Sequence, residues 1–540
     1  MEKYKNYIEK FFNKKTSLVT WIVSFLSIVF LRCFIEQFLA LSKPLSSYEY
    51  VLEYIHSLYF FSLAVVSIWL FLSFILKINP VKLSKMFVFS LIFIIFPPLI
   101  DMIKTGGEVY WSFYLFSSPQ DLFLQYITIF GHLPSAIVYF GTKITFLTVI
   151  FLLIIAIRLK TKSYLKAIFS AIVIYSILFF MGSFPSFFYY FYNFLFGSKK
   201  FLEIKSFEIY NFFGLFEKIL GVDFQNFKYT VAYRVDFIYY ILLIFLLGIL
   251  FWQISSRKFM AVLKNFRYPQ LVYHNGLFFI GMAIGFINYP ENFNFNIFSI
   301  FSIANLVIGI CLAWKASVVV NDLNDDKIDA ISNPERPLQQ GIFSREEYAQ
   351  FGLVCFLLSI LSGFNLGFSF AAIFVVYQII AWFYSAEPLR LKRFPVIASL
   401  ISSLATLLML FLGFILISDE QTIHTLSHRI IFLVIIAGTL SLPIKDFKDI
   451  AGDKQDNIKT IPVVFGDKKA RVIIASGVFI SFVLSVFLLN ELRLFWWAML
   501  FGSLAFLTVI SEKIKPRKIF WPTLGIIFIY GLIMIKVLFF

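Results

Sequence analysis

Two short stretches of this 540-residue chain gather carboxylates in a pattern that a bound cation would relieve. The first is Asn321-Asp322-Leu323-Asn324-Asp325-Asp326-Lys327-Ile328-Asp329. Asp322, Asp325 and Asp329 stand at i, i+3 and i+7, so on a helix they share one face. Three carboxylates so placed repel one another, and a divalent ion between them removes that repulsion. Mg²⁺ suits the position, because it prefers oxygen ligands and is commonly shared between one or two carboxylates and substrate phosphates. The second stretch repeats the spacing at Asp446, Asp449 and Asp453, about 120 residues further on. One such cluster could be a solvated loop; two with identical spacing point to a shared metal-binding task.

Cations accompany both clusters. Arg336 follows the first within Pro334-Glu335-Arg336-Pro337-Leu338, and Lys445, Lys448 and Lys459 surround the second. Arg390, Lys392 and Arg393 lie between them in sequence. An arginine fork and lysine point charges are natural partners for a diphosphate bridged by metal. For Arg390 to Arg393 a second reading stands beside this one, that of cations anchoring a loop at the membrane surface. Lys315, seven residues before Asp322, is expected to face the same cavity and to pair with an aspartate or an acidic acceptor.

The elements that must position these residues are membrane helices. Hydrophobic residues make up 60% of the chain and charged residues 14%, and the mean hydropathy is +0.85. Apolar runs of about twenty residues recur, each long enough to cross a hydrocarbon core as a helix. The short alternating segments of a membrane β-barrel are absent. The expected fold is therefore all-α, a polytopic membrane protein of about 15 transmembrane helices.

About six spans fall in an N-terminal domain, residues 1–260, and nine in a second domain, residues 261–540. Nine helices entering from one side leave four connections on that side: Val320–Arg345, Ser385–Arg393, Lys445–Arg471 and Ser511–Lys518. These hold nearly all the charge of the second domain, including both clusters. The positive-inside rule makes that face cytoplasmic, together with the N-terminus and its basic cluster Lys3–Lys15. The location expected is the cell inner membrane.

The N-terminal domain shows no catalytic motif. Two aromatic-rich loops, Thr105–His132 and Pro185–Arg234, are expected outside, and His56 and His132 read as ordinary loop histidines. Arg32 is costly inside a membrane span, and marks a polar pocket, a snorkelling side chain or an ion pair. Cys33, Cys311 and Cys355 lie far apart in apolar stretches, as small buried residues rather than a disulfide or metal framework. The net charge of +16 resides mostly in short loops, so nucleic acid is not an expected partner. The 73 phenylalanines carry no readable chemistry.

From about Lys264 onward the chain resembles the UbiA superfamily of intramembrane prenyltransferases. Asn321 to Asp329 is similar to that family's Asn-Asp-x-x-Asp-x-x-x-Asp motif, and Asn333 to Leu338 to the Arg-Pro-Leu segment that follows it. Tyr384-Ser385-Ala386-Glu387-Pro388-Leu389-Arg390-Leu391-Lys392 resembles the family's Tyr-Ser-x-x-Pro-x-Arg-x-Lys connection. Lys445 to Asp453 resembles the second aspartate motif, and Ile458 to Val463 its continuation. Asn457 replaces a common glycine, and asparagine tolerates the left-handed conformation better than most residues. Gln339-Gln340 replaces a common Pro-Ser. The N-terminal half lies outside the resemblance.

The resemblance implies a site and a reaction. The six aspartates would bind Mg²⁺ bridging a prenyl diphosphate, with Asn321 assisting. Arg336, Lys392 and Lys448, with Arg390, Lys445 and Lys459 nearby, would bind the diphosphate and offset charge on departing pyrophosphate. Tyr384 and Trp382 would stabilise an allylic cation or anchor the helix at the interface. The implied function is Mg²⁺-dependent transfer of a polyprenyl group to a lipophilic acceptor, whether aromatic, tetrapyrrole or glycerol lipid. Two alternatives remain open: phosphoribosyl transfer to a polyprenyl phosphate within the same superfamily, and a membrane transporter. Against the transporter, the charge lies at one face rather than at the midplane, where transport sites usually lie.

Overall fold

The computed structural model describes residues 17–39, 47–105, 115–129, 140–214, 218–222, 227–292 and 294–539. Lys3–Lys15, His132 and parts of the two outer loops lie outside them. The described residues are helical, with one isolated antiparallel bridge between Ile219 and Val222. Fifteen helices among them are long and apolar enough to cross a membrane, six before Ser256 and nine after it, as expected. In hydrocarbon every backbone polar group must be satisfied within the protein, which leaves the helix as the way to use these apolar runs.

The chain packs as two compact units. One comprises Met1–Glu217 and Phe224–Ser256, the other Lys218–Asp223 and Arg257–Phe540.

In the first unit, His56 corrects its sequence reading. It lies on the helix Ser47–Leu76, and its Nδ1 is 2.6 Å from Oδ1 of the buried Asp236 on the helix Phe227–Ile254. Arg32 resolves as an ion pair with Glu36 at 2.8 Å, its guanidinium over the Phe61 ring. The two long loops expected outside also contain helices, Pro119–Ile127, Phe184–Phe196 and Ser206–Gly214. The three cysteines are free.

The membrane-length helices of the second unit are numbered α1 (Tyr268–Asn288), α2 (Ile297–Asn324), α3 (Arg345–Phe364), α4 (Phe368–Ser385), α5 (Pro395–Ile417), α6 (His428–Ser441), α7 (Asp467–Leu489), α8 (Phe495–Ile510) and α9 (Phe520–Phe539). Their starts are chemically marked. Asn296 and Ser299 form a capping box before α2, and Ser344 and Glu347 form one before α3. Proline enters the first turn of α1 and α5, where its missing N–H costs nothing.

Apolar side chains gain little by leaving lipid, so close backbone approach has to supply the packing. Glycines allow it where α1 crosses α5. A Cβ on Gly281 would strike the Leu410 carbonyl, and one on Gly413 would strike the Phe278 carbonyl and lie 2.8 Å from the Met282 nitrogen. This crossing fixes α1 against α5 and so sets the width of the chamber that both helices line.

The segment from Lys218 to Val222 belongs to this unit although its sequence precedes it. Gly221 N–H donates to the Leu416 carbonyl at 2.9 Å, and Lys218 Nζ is 3.1 Å from Asp419 Oδ1. Ile219, Leu220 and Val222 are buried.

Candidate active site

Both aspartate clusters sit at helix breaks, not on continuous helices. Helix α2 ends at Asn324, and Asp325 (φ −103°, ψ 22°) separates it from the short helix Asp326–Ser332. In the second cluster Asp449 (φ −110°, ψ 7°) separates the 3₁₀ turn Leu442–Lys448 from the short helix Ile450–Gln455. The shared-face expectation assumed an unbroken helix. In each cluster the middle aspartate occupies the hinge, and the third is carried by the short helix beyond it.

The two short helices pack together. Gly452 N–H donates to Ser332 Oγ at 3.2 Å, and a Cβ on Gly452 would lie 2.6 Å from Ile328 Cγ2. Asn333 Nδ2 donates both to Asp329 Oδ1 and to Asp449 Oδ1, each at 3.1 Å. The clusters thereby open into one cavity of about 1100 Å³, counted out to its mouth. Asp325, Asp329, Asp446, Asp449 and Asp453 line it, with Asn321, Arg336, Tyr384, Lys392, Lys445 and Lys448.

Three of the sequence candidates stand elsewhere. Asp322 is buried behind the wall, 1% exposed, and accepts from Asn265 at 2.9 Å, Tyr348 at 3.0 Å, Arg336 at 3.1 Å and Arg267. It orders the cations of the site from behind. Arg390 is also behind the wall and joins Asp325 (3.3 Å) to Asp456 (2.7 Å). Lys459 is exposed and outside the lining.

Two supporting expectations are corrected as well. Lys315 does not reach the cavity; its ammonium donates to the backbone carbonyl of Asn265 at 3.0 Å, just past the helix Ser256–Lys264. A cation at a helix C-terminus is favoured by the helix dipole. Trp382 is 55% exposed and lies away from the cavity, which removes its cation-stabilising reading and leaves that of an interface anchor.

The cations of the site rest on its carboxylates. Lys392 contacts Asp325 Oδ1, and Arg336 contacts Asp329 Oδ2. Asn321 Nδ2 donates to Asp325 Oδ2 at 2.7 Å. Lys448 is 3.8 Å from Asp449. Lys445 instead donates to the hydroxyls of Tyr384 (3.1 Å) and Ser402 (3.0 Å), with its ammonium 4.9 Å from the centre of the Tyr384 ring. Burial pushes the Asp453 carboxyl up to about 8, helped by the charges of Asp446 and Asp449. Burial also raises Asp329 to about 6 against the opposing pull of Arg336, and it lowers Lys392 despite Asp325.

Deeper in the chamber the lining turns aromatic and apolar: Tyr273, Trp314, Tyr377, Ile380, Ile401 and Ala405. His274 belongs to this layer. Its Nδ1 faces the Gln270 carbonyl at 2.6 Å and so carries the proton, while Nε2 accepts from the Tyr377 hydroxyl at 3.1 Å.

The donor set suits a hard cation. The lining offers carboxylate oxygens and no cysteine, which favours Mg²⁺ over thiophilic metals. Among the described residues no three acidic, His or Cys side chains converge tightly enough to hold an ion by themselves. An ion held here would draw the rest of its shell from water or phosphate oxygens, as is usual for Mg²⁺. Asp325, Asp329, Asp446, Asp449 and Asp453 are the residues that could hold it.

Sequence reasoning missed Arg267, which lines the cavity and contacts Asp322 and, at 3.2 Å, Asn321. It also missed Asn333 and the His274–Tyr377 pair.

Parts of the chain are similar to known proteins. Residues 277–520 match the model of the UbiA prenyltransferase family. A digeranylgeranylglyceryl phosphate synthase from Methanothermobacter thermautotrophicus is 29% identical over 181 residues, covering 34% of this chain and 62% of the relative. The chloroplastic chlorophyll synthase of Avena sativa is 26% identical over 246 residues, covering 42% of this chain and 64% of that protein. The chain thus spans about three fifths of the length of these curated relatives. A solved UbiA homologue from Archaeoglobus fulgidus, bound to DMAPP and Mg²⁺, aligns over 51% of this chain and 99% of its own at 18% identity and a TM-score of 0.40.

Proposed function

We propose that the second unit of this chain, which matches the UbiA prenyltransferase family over residues 277–520, transfers a polyprenyl group from a prenyl diphosphate to a lipophilic acceptor within the membrane. The observation that carries this reading is the shared cavity, where five aspartates from two clusters face Arg336, Lys392 and Lys448 above an aromatic chamber. Those aspartates would hold Mg²⁺, which would supply positive charge to offset that of the diphosphate.

The allylic C–O bond breaks and its electron pair leaves with pyrophosphate. Arg336, Lys392 and Lys448 offset the charge that develops there, a role suited to cations already placed at the site. The faces of Tyr384, Tyr377 and Tyr273 stabilise the positive allylic carbon. The apolar walls at Ile380, Ile401 and Ala405 keep water from capturing it. The acceptor's nucleophilic atom then bonds to that carbon and the acceptor loses a proton.

A glycerol lipid is the leading acceptor and a tetrapyrrole the next, following the names of the relatives above. The charged connections face the cytoplasm by the positive-inside rule, and the membrane is the cell inner membrane. The first unit, Met1–Glu217 with Phe224–Ser256, contributes none of the residues of this cavity.

The test is Mg²⁺-dependent release of pyrophosphate from labelled prenyl diphosphates by purified protein, with a membrane lipid extract as acceptor source. Product formation should vanish in Asp325→Asn and Asp449→Asn. Consumption of phosphoribosyl diphosphate, with no prenyl product at any chain length, would overturn the donor assignment.

A further inference from the structure

The two clusters differ in how their carboxylates are occupied. All four oxygens of Asp325 and Asp329 have a donor in contact. Asp325 takes Lys392 and Arg390 (3.3 Å) on one oxygen and Asn321 (2.7 Å) on the other. Asp329 takes Arg336 on one and Asn333 (3.1 Å) on the other. In the second cluster Asp449 takes the uncharged Asn333 (3.1 Å) on one oxygen and its nearest cation is at 3.8 Å, Asp453 meets Thr460 at 3.5 Å, and among the described residues no donor reaches the Asp446 carboxylate.

A metal ion at a carboxylate oxygen is repelled by an ammonium or guanidinium in contact with that same oxygen, so the two compete for it. Lys392 and Arg336 would have to leave, and their side chains are only 6% and 7% exposed. Leaving Asp325 deprives the buried Lys392 of the carboxylate it contacts, and leaving Asp329 confines Arg336 to Asp322 (3.1 Å), which is unfavourable unless another anion takes the freed cations. A diphosphate arriving in the same cavity is such an anion.

We propose that Lys392 and Arg336 act as exchangeable counterions which make metal and diphosphate binding mutually dependent at the first cluster. The inference rests on reading the cavity as a prenyl diphosphate site. Metal engages Asp325 and Asp329 only as the diphosphate draws Lys392 and Arg336 onto its own oxygens. The second cluster takes metal without that exchange. By linkage, each ligand then raises the affinity of the other by the same factor.

The experiment is Mn²⁺ binding to the full-length, detergent-purified protein, followed by electron paramagnetic resonance with and without a prenyl thiolodiphosphate, whose carbon–sulfur bond resists ionisation. Binding of Mn²⁺ to the free analogue is measured separately and subtracted. The expected result is an affinity increase on the order of 5- to 150-fold when the analogue is present. In Lys392→Met, Mn²⁺ should bind more tightly without analogue, and the increase should shrink. Equal Mn²⁺ affinity and stoichiometry with and without bound analogue would overturn the inference while leaving the prenyl diphosphate reading intact. Failure of the analogue to bind at any Mn²⁺ concentration would overturn that reading too. Direct contact between metal and diphosphate also raises affinity in the unmodified protein, so the variant carries the decision: should Lys392→Met not fold, Arg336→Met supplies the same comparison, and an increase left unchanged by the substitution would overturn the exchange.

Discussion

Asp329 and Asp449, one from each aspartate cluster, accept hydrogen bonds from the same amide nitrogen, that of Asn333, at 3.1 Å each. A single uncharged side chain therefore sets the spacing of carboxylates that are 120 residues apart in sequence. Replacing it by alanine removes the tie without adding charge. Asn333→Ala should lower affinity for metal and diphosphate about 10- to 100-fold, the usual cost of losing a group that orients metal ligands. Titration of purified protein with Mn²⁺ and a prenyl thiolodiphosphate checks this; unchanged affinity would show that the clusters hold their spacing without it.

Tyr348 donates to the buried Asp322 at 3.0 Å. Tyr348→Phe keeps the ring and deletes that bond, leaving a carboxylate oxygen less well satisfied. A loss of about 1–3 kcal/mol of stability is expected. Thermal unfolding in detergent measures it, and Asp322→Asn should also unfold at lower temperature, because Arg267 and Arg336 would lose their buried counterion.

Much of this site was legible from residue type and spacing, and what escaped did so for definable reasons. Asp325, Asp329 and the second cluster could be found because repeated carboxylates are unusual in so apolar a chain. Asn457 was expected to bear a left-handed backbone, and its φ is 57°. Asp322 was assigned to the cavity because helical periodicity was carried across Asp325, where the helix in fact ends. Arg267 was hidden among basic residues that also fit a membrane-anchoring role. It reaches Asp322 from a left-handed turn (φ 53°, ψ 58°), a conformation that costs a non-glycine residue roughly 1–2 kcal/mol. Arg390, at φ 39°, is held in the same region and likewise binds an aspartate. Nothing local in the sequence announces either turn; the ion pairs that offset it join residues far apart in the chain. Lys315 failed differently, since its fixed position on α2 left open which partner would claim its flexible ammonium.

The crossing of α1 and α5 should tolerate no side chain. Gly413→Leu is expected to abolish the monodisperse peak in detergent gel filtration, since its Cβ would meet the Phe278 carbonyl. Gly248→Ala, where nothing lies within 4 Å of the added carbon, is the matched control and should leave the peak unchanged.

In the first unit, His56 and Asp236 satisfy each other at 2.6 Å in a buried setting. His56→Ala should cost about 1–3 kcal/mol by leaving the carboxylate without this partner. The double replacement His56→Leu with Asp236→Leu should cost less than the single change, because no polar group is then stranded. Chemical unfolding in detergent, followed by tryptophan fluorescence, would compare the two. A double variant no more stable than the single one would mean that the pair does more than satisfy itself.

The short stretch from Lys218 to Val222 has a consequence for how this protein can be divided. Its isoleucine, leucine and valine are buried, and its backbone closes on Leu416, yet more than thirty residues of another unit separate it from Arg257. The second unit is therefore discontinuous in the gene. A fragment beginning at Arg257 would carry every aspartate of the site and still lack a piece of its own interior. Recombining this unit with a different N-terminal partner would require that partner to donate an equivalent insert.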